Sequence, residues 1–144
     1  MKAREIMTSK LECVTPQDSV SEAARIMRDR DVGIVPVVDD RSTNRLAGVI
    51  TDRDITVRCI AEGRDGSCTV SEVMSSDIIT ARPDDDVNRI MERMGADQVR
   101  RVPVVDDDNR IVGIIAQADI ALEGPSDRKV GEVVERISEP GGRK

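Results

Sequence analysis

The apolar positions of the chain follow two periods, one helical and one of short unbroken runs. Val20, Ala23, Ala24 and Met27 fall on one helical face, and Ser19 with Glu22 three residues on has the form of a capping box, so the spacing predicts a helix from Ser19 to Asp31. Two runs rich in Val and Ile follow, Ile34 to Val38 and Leu46 to Thr51, joined by the polar stretch Asp39 to Arg45; they read as neighbouring strands. Asp52 to Ala61 reads as a second helix that stops at Glu62-Gly63. Ahead of the first helix, Leu11 to Val14 reads as a short extended piece ending at Thr15-Pro16, because the residue before a proline is pushed out of the helical region.

The whole pattern occurs twice. Val35-Pro36-Val37-Val38-Asp39-Asp40 and Gly48-Val49-Ile50-Thr51-Asp52-Arg53-Asp54-Ile55 are answered by Val102-Pro103-Val104-Val105-Asp106-Asp107 and Gly113-Ile114-Ile115-Ala116-Gln117-Ala118-Asp119-Ile120. The prolines are 67 residues apart, as are Val20 and Val87, while the glycines Gly48 and Gly113 are 65 apart, so two residues are missing between the strands of the second copy. The second helix face is Val87, Ile90, Met91 and Met94, with Asp86 in the place of Ser19; Met residues in such a stripe are core or dimer packing rather than cofactor contacts. Ala3-Arg4-Glu5-Ile6-Met7 reads as a helical turn, with counterparts at Ser71-Glu72-Val73-Met74 and, more weakly, Gly131-Glu132-Val133-Val134. Beyond Ala121 the chain turns polar from Glu123 to Asp127, Val130 to Ile137 predicts a last amphipathic helix, and Gly141 to Lys144 is expected to fray. The organisation expected is a first domain over 1–66, a second over 67–124 and a helix with tail over 125–144. Each half is strand, helix, strand, strand, helix (β-α-β-β-α), a mixed α/β (α+β) class. A unit of roughly 60 to 70 residues buries only about 60% of its unfolded surface, so each half should lean on its twin.

Composition narrows the function. With 28 acidic against 22 basic residues, a formal charge of −6 and no aromatic residue, the chain lacks both the basic field and the stacking rings of a nucleic-acid binder. No run of 18 apolar residues and no charged-then-apolar leader is present, so neither a membrane span nor a signal peptide is expected, and a cytoplasmic location follows. The three cysteines Cys13, Cys59 and Cys68 lack metal-ligand spacing and there is no histidine, so no metal site is expected. Without histidine, tyrosine or a nucleophile beside a recognisable base, the chain offers little for catalysis and is read as no enzyme.

The paired strand-Pro and Gly-Val-Ile-Thr-Asp-Arg-Asp phrases resemble those of a tandem pair of CBS domains, a Bateman module, over about Ala3 to Leu122. Thr51-Asp52-Arg53-Asp54-Ile55 and Gln98-Val99-Arg100-Arg101-Val102-Pro103 are also similar to small stand-alone actinobacterial members of the hypoxic-response type. The resemblance implies a pseudo-two-fold module with two clefts between the halves that commonly hold AMP, ADP, ATP or another adenosyl compound such as S-adenosylmethionine. It also implies a homodimer and a regulatory rather than catalytic role.

On that footing, Thr51 and Asp54 suit a nucleotide: a hydroxyl and free N–H groups at a helix start take a phosphate, and a carboxylate accepts bonds from ribose hydroxyls. The same Thr-x-x-Asp pattern is equally a helix cap. The second copy keeps Asp119 but has Ala116 and Ala118 where Thr51 and Arg53 stood, while Arg100 and Arg101 replace Gly33 and Ile34 just before Pro103. The resemblance places side chains there near the ligand's phosphates, which guanidinium groups suit by charge and fork geometry; pairing with surface carboxylates or lining the dimer is the alternative. The second cleft, with Asp119, Arg100 and Arg101, therefore ranks above the first, with Thr51, Arg53 and Asp54. Adenine is expected against Ile34, Val35 and Val102, and Pro36 and Pro103 shape the strands. Thr80 and its counterpart Cys13 stand at a place that borders the ligand in the family; Cys13 is either an oxidation-sensitive thiol or a small buried hydrophobe. The reading is a sensor of an adenosyl nucleotide that signals to an unknown protein partner or through assembly. Its competitor is a scaffold or stress-response interaction protein with ligand-free clefts. The dimer expectation rests on the apolar helix faces at Met27 and Met94, which exceed what two small sheets can cover.

Overall fold

The computed structural model describes residues 1–123 and 127–138; most of the polar stretch read from Glu123 to Asp127 and the fraying expected for Gly141 to Lys144 lie outside them. The elements run α1 (Ala3–Ile6), α2 (Val20–Arg30), β1 (Ile34–Val38), β2 (Leu46–Thr51), α3 (Asp52–Ile55), α4 (Val70–Val73), α5 (Val87–Asp97), β3 (Arg101–Val105), β4 (Ile111–Ala116), α6 (Gln117–Glu123) and α7 (Asp127–Ile137). The helix expected over Asp52 to Ala61 is present with one departure: after α3 it widens into a π-helical turn, Thr56–Ile60, and stops at Gly63 with φ of 73°.

The chain divides into two compact units that exchange segments between the repeats. One consists of Leu11–Ile78 with Asp108–Ile111, the other of Met1–Lys10, Ile79–Asp107 and Val112–Lys144. Thus α4, the opening helix of the second repeat, belongs to the unit of β1 and β2, and α1 belongs to the unit of β3 and β4.

In the first unit β1 and β2 are antiparallel, Ile34 opposite Thr51 and Val37 opposite Gly48, with an irregularity between Val37 and Val38. The extended piece ahead of α2 contributes a single parallel bridge, Val14 to Val37. On the far side Val49 and Ser75 exchange both backbone bonds, at 2.9 and 2.8 Å. Gly48 is there because a Cβ would stand 2.5 Å from the Ser75 carbonyl oxygen. Strand alternation turns Val35 and Val37 into a core shared with Val14, Val20, Ala23, Ile50, Cys59, Val70 and Val73. α2 begins at Ser19, whose Oγ accepts the Glu22 N–H at 3.3 Å, and ends at Asp31 in the left-handed region.

The second unit repeats the plan. Ala81 bridges Val104 in parallel, β3 pairs with β4, and Thr8 exchanges both bonds with Ile114 at 2.9 and 3.0 Å. Asp86 caps α5 through the Asn88 N–H at 2.7 Å, and Gln98 closes it in the left-handed region as Asp31 closes α2. The units differ in cover. α7 lays Val133 and Ile137 into the core of α5, and Gln98 Nε2 donates to the Arg136 carbonyl at 2.9 Å. Met91 and Met94 are consequently 0% exposed, whereas Ile26 and Met27 on α2 are only partly buried. The dimer argument drawn from Met94 is therefore corrected: the chain's own last helix covers that face, a partner the face count along the sequence omitted.

Candidate ligand-binding site

Both candidate sites are built where the second strand of a pair runs into a helix. In the first unit the Asp52 N–H donates to the Gly33 carbonyl at 3.0 Å, which ties the helix start to the residue before β1. Thr51 Oγ1 accepts the Asp54 N–H and Asp54 Oδ2 accepts the Thr51 N–H, both at 3.0 Å, so the capping pattern is realised as a reciprocal pair. The other oxygen of Asp54 faces the Ser75 hydroxyl at 3.5 Å and Arg58 Nη1 at 3.9 Å. Arg58 is itself fixed, donating to the carbonyls of Val73 and Met74 at 3.0 and 3.1 Å and to Ser75 Oγ at 3.2 Å. Arg53 is exposed and Ile34 half-buried, opposite Thr51.

In the second unit the Gln117 N–H donates to the Arg100 carbonyl at 2.8 Å, which brings Arg100 and Arg101 to the strand end that carries Asp119. Asp119 Oδ2 accepts the Ala116 N–H at 2.8 Å; with Ala116 in the threonine's place the reciprocal bond has no hydroxyl to receive it. Arg100 is exposed and Arg101 half-buried on the strand face opposite Val102, and among the described residues neither forms an ion pair. The alternative that both are absorbed by surface carboxylates does not hold there. Thr80 is half-buried beside Pro103, and its carbonyl accepts Arg93 Nη1 at 2.7 Å.

Two expected contacts are corrected. Val35 is 0% and Val102 1% exposed, each turned into its own unit's core, so neither can lie against adenine; period-two alternation leaves Ile34 and Arg101 on the opposite face. Pro36 and Pro103 are buried between those positions and act on strand shape. Cys13 is half-buried in a groove of about 380 Å³ lined also by Glu22, Arg25 and Arg41. Burial pushes its thiol up against the pull of Arg41, the reverse of an activated cysteine. Sequence reasoning missed Ser75 and Arg58. Arg58 stands four residues after Asp54, a helical pairing distance, and Ser75 has a hydroxylic counterpart in Thr8, 67 residues earlier.

The CBS domain model matches this chain at residues 3–59 and again at 70–124. The chain belongs to the CBS-domain family. It is 38% identical over 135 residues to the CBS domain-containing protein YhcV of Bacillus subtilis, covering 94% of each chain. It is 34% identical to hypoxic response protein 1 of Mycobacterium tuberculosis over 96% of this chain and 94% of that one. The crystal structure of Hypoxic Response Protein I with two coordinated zinc ions superposes with a TM-score of 0.76 at 36% identity, covering 87% of this chain and all of that one. The CBS domain pair of protein MJ0100, in complex with 5′-methylthioadenosine and S-adenosyl-L-methionine, has a TM-score of 0.76 at 30% identity, over 85% of this chain and 98% of that one. Zinc does not fit here: the sequence has no histidine, and among the described residues no three His, Cys, Asp or Glu side chains are placed to hold a metal ion. No helix among the described residues is long and apolar enough to cross a membrane.

Proposed function

We propose that this CBS pair is a regulatory module that binds an adenosyl nucleotide of the AMP, ADP, ATP or S-adenosylmethionine kind and passes the change to a protein partner or to its own assembly. Asp119 receives the ribose hydroxyls, and Arg100 and Arg101 receive the phosphates. The first junction, with Thr51, Arg53, Asp54 and Ile34, is the weaker site, because its carboxylate already serves Thr51, Ser75 and Arg58. The observation that carries the reading is the pair of guanidiniums without a carboxylate partner among the described residues, tied by the Arg100 carbonyl to the helix start of Asp119. The adenosyl ligands of the MJ0100 pair support the ligand class. Regulation requires differential affinity, since a nucleotide that binds two arrangements equally shifts neither. The module works in the cytoplasm, as a homodimer, without a catalytic role.

Thermal melting with millimolar AMP, ADP, ATP, S-adenosylmethionine and NADH tests this. At 100 times its dissociation constant a ligand adds about 2.7 kcal/mol of stability, which raises Tm by several degrees. The Arg101→Ala protein is expected to lose that rise while melting unliganded near the wild-type temperature. If none of the five moves the wild-type Tm, the second reading stands: an interaction scaffold with ligand-free sites, favoured by Ala116 and by the engaged Asp54 carboxylate.

A further inference from the structure

Away from the nucleotide-binding residues, Cys59 and Cys68 of the first unit face one another with their sulfurs 3.1 Å apart. Cys59 sits in the π-helical turn after α3 and is 0% exposed; Cys68 is half-buried, immediately before Thr69, the N-cap of α4. Both are free thiols. Cys59 Sγ also stands 3.3 Å from the Asp65 carbonyl oxygen and 3.7 Å from that of Arg64, so the short loop between the cysteines wraps the buried sulfur. A disulfide needs about 2.0 Å between sulfurs, so closure asks for a movement of about 1 Å. The backbone on either side is already held, by Arg58 on the carbonyls of Val73 and Met74. The second repeat has no such pair, since the offsets of 65 and 67 put Gly124 and Met1 at the corresponding places.

We infer that Cys59 and Cys68 form a redox pair that closes to an intramolecular disulfide under a peroxide and fastens the π-helical turn to the start of α4. Cys68 is the accessible partner and reacts first. It releases its proton to solvent, its thiolate attacks one peroxide oxygen, the S–O bond forms as the O–O bond breaks, and the leaving hydroxide takes a proton to become water. Cys59 then gives up its proton and attacks the Cys68 sulfur; the S–S bond forms, the S–O bond breaks, and a second water leaves. Two thiols lose two electrons and two protons, and hydrogen peroxide is reduced to two waters. Burial and the neighbouring Cys59 push the Cys68 thiol up, with Glu72 adding to them and Arg64 opposing. Closure is therefore slow at neutral pH and speeds up as pH rises, which marks a slow, reversible switch rather than a peroxidase.

The test uses the full chain, exposed to hydrogen peroxide, denatured, alkylated and analysed by peptide mass spectrometry. The expected result is a joint loss of the Cys59 and Cys68 thiols, a cross-linked peptide lighter by two hydrogens, full recovery with dithiothreitol, and the same outcome for Cys13→Ser. In Cys68→Ser, Cys59 is expected to stay alkylatable after the same treatment. The inference is overturned if Cys68 runs on to sulfinic acid or pairs with Cys13 while Cys59 remains a thiol. It is equally overturned if Cys59 oxidises as fast without Cys68 as with it.

Discussion

At the first strand-to-helix junction the Asp54 carboxylate is approached from three sides, by the Thr51 amide, the Ser75 hydroxyl and Arg58; at the second, Asp119 accepts the Ala116 amide alone among the described residues. The two acids occupy the same place in the repeat, yet their neighbours decide what each is free to do. Where the first copy has Thr51 the second has Ala116, and where the first helix offers Arg58 the sequence of the second has Glu123. Before β3, conversely, the second copy has gained Arg100 and Arg101, which among the described residues no carboxylate holds. The two copies share a backbone plan and differ in side chains: one junction is consolidated as a reciprocal cap, while at the other the acid holds a single amide among the described residues. The helices diverge in the same way, α5 sealed by α7 and α2 left partly open.

The difference between the helices predicts the largest effect. Met94 and Met27 stand at matching positions, but Met94 is 0% exposed in the core that α7 completes. Met94→Ala should cost about 2 to 5 kcal/mol in urea denaturation, and Met27→Ala less than about half of that. Equal costs would erase the distinction. Next comes Asp54→Ala, which removes the reciprocal cap, the acceptor of the Ser75 hydroxyl and the charge facing Arg58; it should cost about 1 to 2 kcal/mol, against about 1 kcal/mol or less for Asp119→Ala. In the opposite direction, Ala116→Thr restores the missing hydroxyl and should raise stability by about 0.5 to 1 kcal/mol in the same assay. A loss on that substitution would mean that the second junction cannot host the first one's cap.

The smallest effect concerns pH. Burial pushes the Asp18 carboxyl up, but the Thr15 amide at 2.8 Å and the Arg41 guanidinium at 2.6 Å together hold it below the usual carboxylate range. Because the folded value is the lower one, its contribution is complete above the unfolded value of about 3.9 and disappears as pH falls through the folded one. Urea midpoints of wild type and Asp18→Asn should therefore differ at pH 7 and converge toward pH 2.

Much of this was legible along the chain. Ser19, Asp86 and the β1 and β2 runs carry strong local signals, and the observed elements match them to within a residue or two. The CBS family could be read because two phrases recur in register. What could not be read depends on contacts distant in sequence. The exchange of α1 and α4 between units follows from backbone pairing of Thr8 with Ile114 and of Ser75 with Val49, which no local period encodes. The same pairing brings Ser75 to Asp54. The lack of any aromatic ring points adenine to aliphatic groups such as Val35 and Val102, although strand alternation itself turns them inward.

Isothermal titration of AMP into wild type, Asp54→Ala and Asp119→Ala tests most directly whether the open junction is the binding one. Wild type is expected to bind, Asp54→Ala to keep affinity within a few-fold, and Asp119→Ala to lose at least about tenfold, which corresponds to 1.4 kcal/mol. Equal losses in the two variants, or a greater loss in Asp54→Ala, would contradict the account.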